Sequence, residues 1–285
     1  MILGCAAALI GLKGFGTMVI DFHTHIFPDK IAEGTIKHLS QFGGIKPFAT
    51  GNLDGLIDVM KAGGIDCSVI LPVVTRPQQF DSITRFAEEI NNTDFSDRGV
   101  KLISFGGIHP DTEDYKGQLN TLHAKGFKGI KIHPDYQQTF IDDIRYLRII
   151  EYASSLGMII VAHAGFDVGY PQLTHCTPDR AKHMLDEVKP EKMVLAHMGG
   201  VFMGEWVEQI LMGGNVYLDT AYVADIMDKA HFERMVRKHG ADKILFASDS
   251  PWKDPGMMKS VIEGLALTKE EKEMILGRNA EGILY

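Results

Sequence analysis

The sequence predicts a single α/β domain, a closed (β/α)8 TIM-type barrel, on three observations. Eight apolar blocks of strand length alternate with segments of helical periodicity along the chain. The blocks are solidly apolar rather than alternating, as parallel strands covered by helices should be. No GxGxxG follows the first block and no GxxxxGK[ST] occurs, so a doubly wound nucleotide-binding sheet, the rival arrangement, loses its main support.

The elements fall in order. Residues 19–22 form the first predicted strand. The stretch 26–51, rich in Gly and Pro, reads mainly as a loop over the site, with helix open to 29–41. A helix starts at Asn52, where Leu53, Leu56, Ile57 and Met60 share a stripe and Gly63-Gly64 is the stop. The remaining strands are expected at 67–71, 101–108, 129–133, 158–163, 192–197, 215–219 and 243–249. Helices are expected at 81–91, 113–125, 142–155, 178–188, 206–212, 225–239, 257–267 and 270–276. The 142–155 helix is the clearest, with Ile144, Leu147, Ile150 and Ala153 on one stripe and Gly157 at its end.

Composition bounds the function. The 285 residues are 45% hydrophobic and 23% charged, the make-up of an ordinary soluble domain. A net charge of −8 argues against nucleic acid or an anionic membrane surface as the main partner. Cys5, Cys67 and Cys176 show no CxxC spacing and suggest a reducing cytoplasm. Residues 1–17 read as an N-terminal extension ahead of an 18–285 barrel. Their apolar run lacks a basic start, is too short to span a bilayer, and leaves Met18 open as a translation start. No later run reaches membrane length.

The polar residues that end the strands carry the functional reading. His23 and His25 end the first strand, His163 the fifth, His197 the sixth and Asp249 the eighth. In a barrel these tips converge on one mouth, where catalytic groups sit. A lone histidine after an apolar run is usually a satisfied core residue; five such placements point to a divalent metal site. Three imidazoles and a carboxylate suit zinc, and also manganese, iron or cobalt.

Asp21-Phe22-His23-Thr24-His25, Val161-Ala162-His163-Ala164-Gly165, Leu195-Ala196-His197-Met198-Gly199-Gly200 and Phe246-Ala247-Ser248-Asp249-Ser250-Pro251 resemble the motifs of the amidohydrolase superfamily. Gly129-Ile130-Lys131-Ile132-His133-Pro134 and Arg278-Asn279-Ala280 resemble the amidohydrolase-2 branch, which holds aminocarboxymuconate-semialdehyde decarboxylase and related metal-dependent hydrolases. The resemblance runs from Met18 to the C-terminus. It implies one metal held by His23, His25, His163 and Asp249, with a water completing the shell. It also implies that Asp249 accepts the water's proton and that His197 polarises the water or steadies an oxyanion.

Lys131 is open to two readings. In binuclear members of the superfamily a carboxylated lysine bridges two ions, with His163 and His197 on the second. Otherwise Lys131 pairs with a substrate carboxylate or with Asp249. Lys131, His133 and His109 are the expected substrate-binding residues, His109 with a turn contact as the plain alternative. Residues 165–177, with Tyr170, His175 and Cys176, form a mouth loop that shapes specificity, without a catalytic role for Cys176. His38, His123, His183, His231 and His239 fall in helices and are expected to be solvated.

The expected activity is metal-dependent hydrolysis of an ester, lactone or amide carbon in a small molecule. Non-oxidative decarboxylation of a small unsaturated or aromatic acid is the alternative. The expected partner is a small-molecule substrate, open to an anionic one, with no nucleic acid and no membrane; a homo-oligomer stays open. A non-catalytic metal-binding scaffold fits less well, because it needs no open coordination position. A nuclease of the TatD type shares His-x-His and Gly107-Ile108-His109-Pro110, but carries an acidic residue where this chain has Lys131.

Overall fold

The computed structural model describes residues 18–285; the expected 1–17 extension and Cys5 lie outside the described residues. Short apolar segments pair in parallel from β1 (Ile20–Thr24) through β2 (Cys67–Ile70) to β3 (Lys101–Ser104). A second parallel run follows: β4 (Gly106–Gly107), β5 (Gly129–Ile132), β6 (Ile159–Ala162), β7 (Met193–Leu195), β8 (Tyr217–Asp219) and β9 (Ile244–Leu245). The ring closes where Phe22 N–H donates to Phe246 O and Asp249 N–H donates to His23 O, both at 2.9 Å. Nine segments therefore fill eight stave positions, because the stave expected at 101–108 divides at Phe105.

That division has a local cause. Asn91, at the end of α3 (Phe80–Asn91), accepts from Ser104 N–H at 2.7 Å and donates to Ser104 O at 2.9 Å. A side chain thus occupies both backbone groups that would have extended the ladder, and pairing toward β5 resumes at Gly106. Phe105 N–H still reaches Ile70 O at 2.9 Å, so the stave stays in place.

The helices cover the ring's outer face: α1 (Asp29–Gly43), α2 (Leu53–Gly63), α4 (Tyr115–Ala124), α5 (Ile144–Ser155), α6 (Pro178–Val188), α7 (Gly204–Ile210), α8 (Lys229–His239) and α9 (Pro255–Glu263). The stretch expected mainly as loop at 26–51 is half helix. α1 buries only Ala32 and Ile36 and ends at Gly44 in the left-handed region, φ 65°; Pro28 and Gly43-Gly44, which read as loop signals, sit at its two ends. The last predicted helix is longer than expected: α10 (Lys269–Glu273) runs through a wider turn at Met274–Arg278 into α11 (Asn279–Leu284). Among the described residues no helix is long and apolar enough to cross a membrane.

Strand alternation sorts the core into two layers. Ile160, Ala162, Ile130 and Ile132 face the helices, while Ile159, Val161, Val69, Leu71, Phe105 and Leu245 fill the barrel. On β5 the apolar residues take the outer positions, which turns Lys131 inward. β1 breaks the rule. Phe22 packs edge-on against Phe105 in the interior, yet His23, the next residue, also meets the inward side chains Lys131 and Asp219. The pairing of β1 with β2 shifts register between Asp21 and Thr24, which lets adjacent residues share a side.

Phe22 is fully buried at this transition. Phe22→Ala should cost about 3–5 kcal/mol, read as a lower urea midpoint at unchanged m-value. A loss under about 1 kcal/mol would show that the interior is not close-packed there.

Candidate metal centre

Each strand-tip residue expected from the sequence lies at the C-terminal end of the barrel. His23 is within β1 and His25 just beyond it, His163 follows β6, His197 follows β7, and Asp249 follows β9. His197, Met198 and Asp249 adopt positive φ values of 60°, 54° and 70°. Such backbone is costly for residues with a side chain and persists where surrounding bonds hold it. The Asp249 N–H is held by the His23 carbonyl and the His197 N–H by Asp219 Oδ1 at 2.8 Å.

Three donor atoms converge: His23 Nε2 lies 3.1 Å from His25 Nε2, and Asp249 Oδ1 lies 3.3 Å from His25 Nε2 and 3.7 Å from His23 Nε2. The far ring nitrogens decide what the near ones carry. His23 Nδ1–H donates to Asp219 Oδ2 at 2.9 Å, and His25 Nδ1–H donates to the Leu71 carbonyl at 2.8 Å. With Nδ1 so engaged, each ring turns Nε2 as an acceptor toward its partner and toward a carboxylate oxygen, with Lys131 Nζ also 3.1 Å from His23 Nε2. A proton between them satisfies one pair of atoms, whereas a divalent cation satisfies all three. This donor set fits the metal expected from the sequence.

Asp219 ends β8 and organises two of these residues. Besides holding His23, it accepts the N–H groups of His197 and Ala221 on Oδ1, at 2.8 and 3.1 Å. Burial pushes the Asp219 carboxyl up and the His23 imidazole well down. Burial therefore disfavours a charged imidazolium at this contact, and His23 Nδ1–H donates to Asp219 as a hydrogen bond rather than an ion pair. Burial also raises the Asp249 carboxyl, but the His25 hydrogen bond and the neighbouring His23 and His197 outweigh it, leaving it below the ordinary carboxylate value.

His163 stands apart from the first-strand pair. Its Nδ1 lies 3.0 Å from His197 Nε2, and the His197 ring stands 5.2 Å from that of His23. Its Nε2 faces Asp135 Oδ2 at 3.8 Å and Asp167 Oδ2 at 3.9 Å, and its ring stacks on His133 at 4.1 Å. Three groups of metal-ligating spacing thus exist among the described residues: His23, His25 and Asp249; His23, His197 and Asp219; and His133, His163 and Asp167.

Lys131 is fully buried with Nζ 3.1 Å from His23 Nε2, so it meets the histidine and not Asp249 as one reading expected. Burial lowers its ammonium to about 8, against the pull of Asp219 and Asp249. His109 belongs to none of the three groups. Its Nδ1 accepts the Asp111 N–H at 3.1 Å, the turn contact that was its plain alternative. Cys176 is buried and its thiol is pushed far up by burial, which leaves it inert. His239 is not solvated as expected: it is buried and donates from Nε2 to Val216 O at 2.8 Å. His231 is also mostly covered, beside Glu208 at 3.1 Å.

Sequence reasoning passed over Asp219, Asp135 and Asp167. Asp219 carried the same signal as Asp249, an acid closing an apolar block. Asp135 and Asp167 follow strand-tip histidines by two and four residues, in loops where chain direction is not readable.

The family described as amidohydrolase matches residues 20–284 of the chain. No curated protein matches. Among solved structures, 5-carboxyvanillate decarboxylase from Sphingomonas paucimobilis superimposes with a TM-score of 0.67 at 14% identity, covering 94% of this chain and 99% of that one. The 2,6-dihydroxybenzoate decarboxylase from Rhizobium gives 0.68 at 16%, with the same coverage. A dihydroxybenzoic acid decarboxylase from Polaromonas, with bound manganese and the inhibitor 2-nitroresorcinol, gives 0.70 at 13%, covering 94% and 97%.

Asp219→Asn keeps an acceptor for the two backbone N–H groups but presents an amide N–H to His23 Nδ1. The ring must then carry its proton on Nε2, where the cation would bind. Zinc affinity measured calorimetrically should fall by about 10–100-fold. Unchanged affinity would show that Asp219 does not set the His23 tautomer.

Proposed function

Because this chain belongs to the amidohydrolase family, we propose that it is a metal-dependent hydrolase acting on an ester, lactone or amide carbon of a small molecule. The observation that carries this reading is the convergence of His23 Nε2 and His25 Nε2, 3.1 Å apart, with Asp249 Oδ1 beside them. His23, His25 and Asp249 would hold the ion. His163 is the expected fourth ligand. When bound, the ion supplies Lewis acidity and brings a water's pKa toward 7. Zinc is proposed on the nitrogen-rich donor set, one ion per chain.

The chain's own residues supply the rest. Asp249, its carboxyl held below the ordinary value, accepts the proton of the attacking water and passes it to the leaving group. His197, anchored at Nδ1 to the Ala221 carbonyl at 2.9 Å, holds Nε2 as an acceptor 3.0 Å from His163 Nδ1, and it polarises the water by accepting its hydrogen bond; steadying an oxyanion would require the protonated ring. Lys131 donates beside His23 and restrains any negative oxygen that comes near. The buried, unpaired Cys67 and Cys176 suit a reducing cytoplasm.

A second reading is decarboxylation of a small hydroxylated aromatic acid. It is favoured by the three structural neighbours named above, which are decarboxylases of such acids and superimpose over 94% of this chain. Product analysis in oxygen-18 water separates the two. Label in the product of a lactone, ester or amide supports hydrolysis; carbon dioxide release without label in the remaining product supports decarboxylation and overturns our first reading.

His23→Ala and Asp249→Ala should each lower turnover by at least about 10²-fold while the far-ultraviolet circular dichroism stays native. Wild-type turnover in either variant would contradict the assignment. His197→Ala should retain one ion per chain by elemental analysis. Loss of half the metal would instead favour a two-ion centre with a carboxylated Lys131.

A further inference from the structure

The mouth has a second polar pole around Asp135 and Asp167, two carboxylates that the hydrolytic reading gives no role. Asp135 is fully buried, and its Oδ1 accepts the N–H of His175 at 3.0 Å and His175 Nδ1 at 2.9 Å. Its Oδ2 has no hydrogen-bond partner, and neither has His163 Nε2, 3.8 Å away in an equally enclosed position. Asp167 brings a second carboxylate to the same place. Its Oδ1 accepts the Gly169 N–H at 2.8 Å, while Oδ2 lies 3.6 Å from His133 Nε2 and 3.9 Å from His163 Nε2.

No fixed cation balances this pole. Among the described residues the ion-pair partners of Asp135, Asp167 and Asp249 are all histidines, and no lysine or arginine reaches them. The adjoining wall is flat and aromatic: His133 stacks on Tyr136 at 4.0 Å, and Tyr136 meets Tyr170 at 5.6 Å. The carboxyl oxygens of Asp135 and Asp167 are therefore the main polar groups on this side, with His133 Nε2 beside Asp167 Oδ2.

A buried acceptor without a donor is costly, and holding His175 accounts for only one of Asp135's two oxygens. Another carboxylate entering here would bring only further acceptor oxygens to a place that already holds two carboxyl groups. We propose that this pole binds hydroxyl or ammonium groups of the substrate, so that the molecule acted on carries hydrogen-bond donors, and no carboxylate, beside its reacting carbonyl. The pole's chemistry stands on Asp135 and Asp167; that the bound molecule is then hydrolysed rests on the function proposed above.

Binding can be read apart from turnover. The zinc-loaded protein is titrated, by ligand-observed nuclear magnetic resonance, with cyclopentanone and its 3-hydroxy, 3-ammonio and 3-carboxylate derivatives, none of which can be hydrolysed. The hydroxy or the ammonio form should bind at least tenfold tighter than the parent, and which of them leads distinguishes a polyol from an amine substrate. The carboxylate form should bind no tighter than the parent. Asp167→Asn, at a partly open loop position, should shrink the preference for the leading form over the carboxylate form at least tenfold. Asp135→Asn tests the deeper oxygen in the same way. A carboxylate form that binds as well as the others, equal binding by all four, or an order unchanged in Asp167→Asn overturns the proposal. Because no turnover is involved, a blank result with lactones in labelled water would count against hydrolysis and leave this measurement standing.

Discussion

The contact between Asp219 and His23 is the constraint on which the centre depends. An imidazole has two nitrogens and, when neutral, one proton, so fixing the proton on one side dictates what the other side offers. Asp219 holds the Nδ1 proton of His23 and, through its other oxygen, the backbone of His197. The same carboxylate thereby sets the tautomer of one strand-tip histidine and the position of another. The Leu71 carbonyl performs the first of these tasks for His25. With these donors anchored behind the rings, the nitrogens in front have only lone pairs to show.

The barrel makes that arrangement affordable in strain. His197, Met198 and Asp249 hold left-handed backbone at the ends of staves whose apolar residues are buried on both faces. Close packing around rigid parallel strands leaves little room for these residues to relax. Among structural neighbours of 13–16% identity the fold itself is shared. The reaction must be argued from side chains, as the acceptor-rich wall at Asp135 and Asp167 illustrates.

Much of the architecture was legible because its signals are local. Solid apolar blocks mark covered parallel strands, and the acids and histidines that close them mark the mouth, as at His163, His197 and Asp249. What stayed hidden depends on contacts between distant residues. The divided third stave follows from Asn91 gripping Ser104, 13 residues away. The isolation of His163 from the first-strand pair follows from its pairing with His197 across two strands. His239 reads as a solvated helical residue until Val216 is placed beneath it. Pro28 and Gly43-Gly44 at the ends of α1 made its stretch read as loop although the helix lies between them.

The register shift in β1 has a consequence for how such a sequence can diverge. Phe22 and His23 lie side by side in the chain, and both turn inward because the ladder slips between Asp21 and Thr24. Losing or gaining one residue in this stretch would rotate the histidine pair toward the helical layer while every other ligand kept its place. Homologues should therefore tolerate insertions and deletions at the ends of their helices far more readily than in these five residues. The spacing of this segment is then more informative about retained chemistry than the identity of its neighbours.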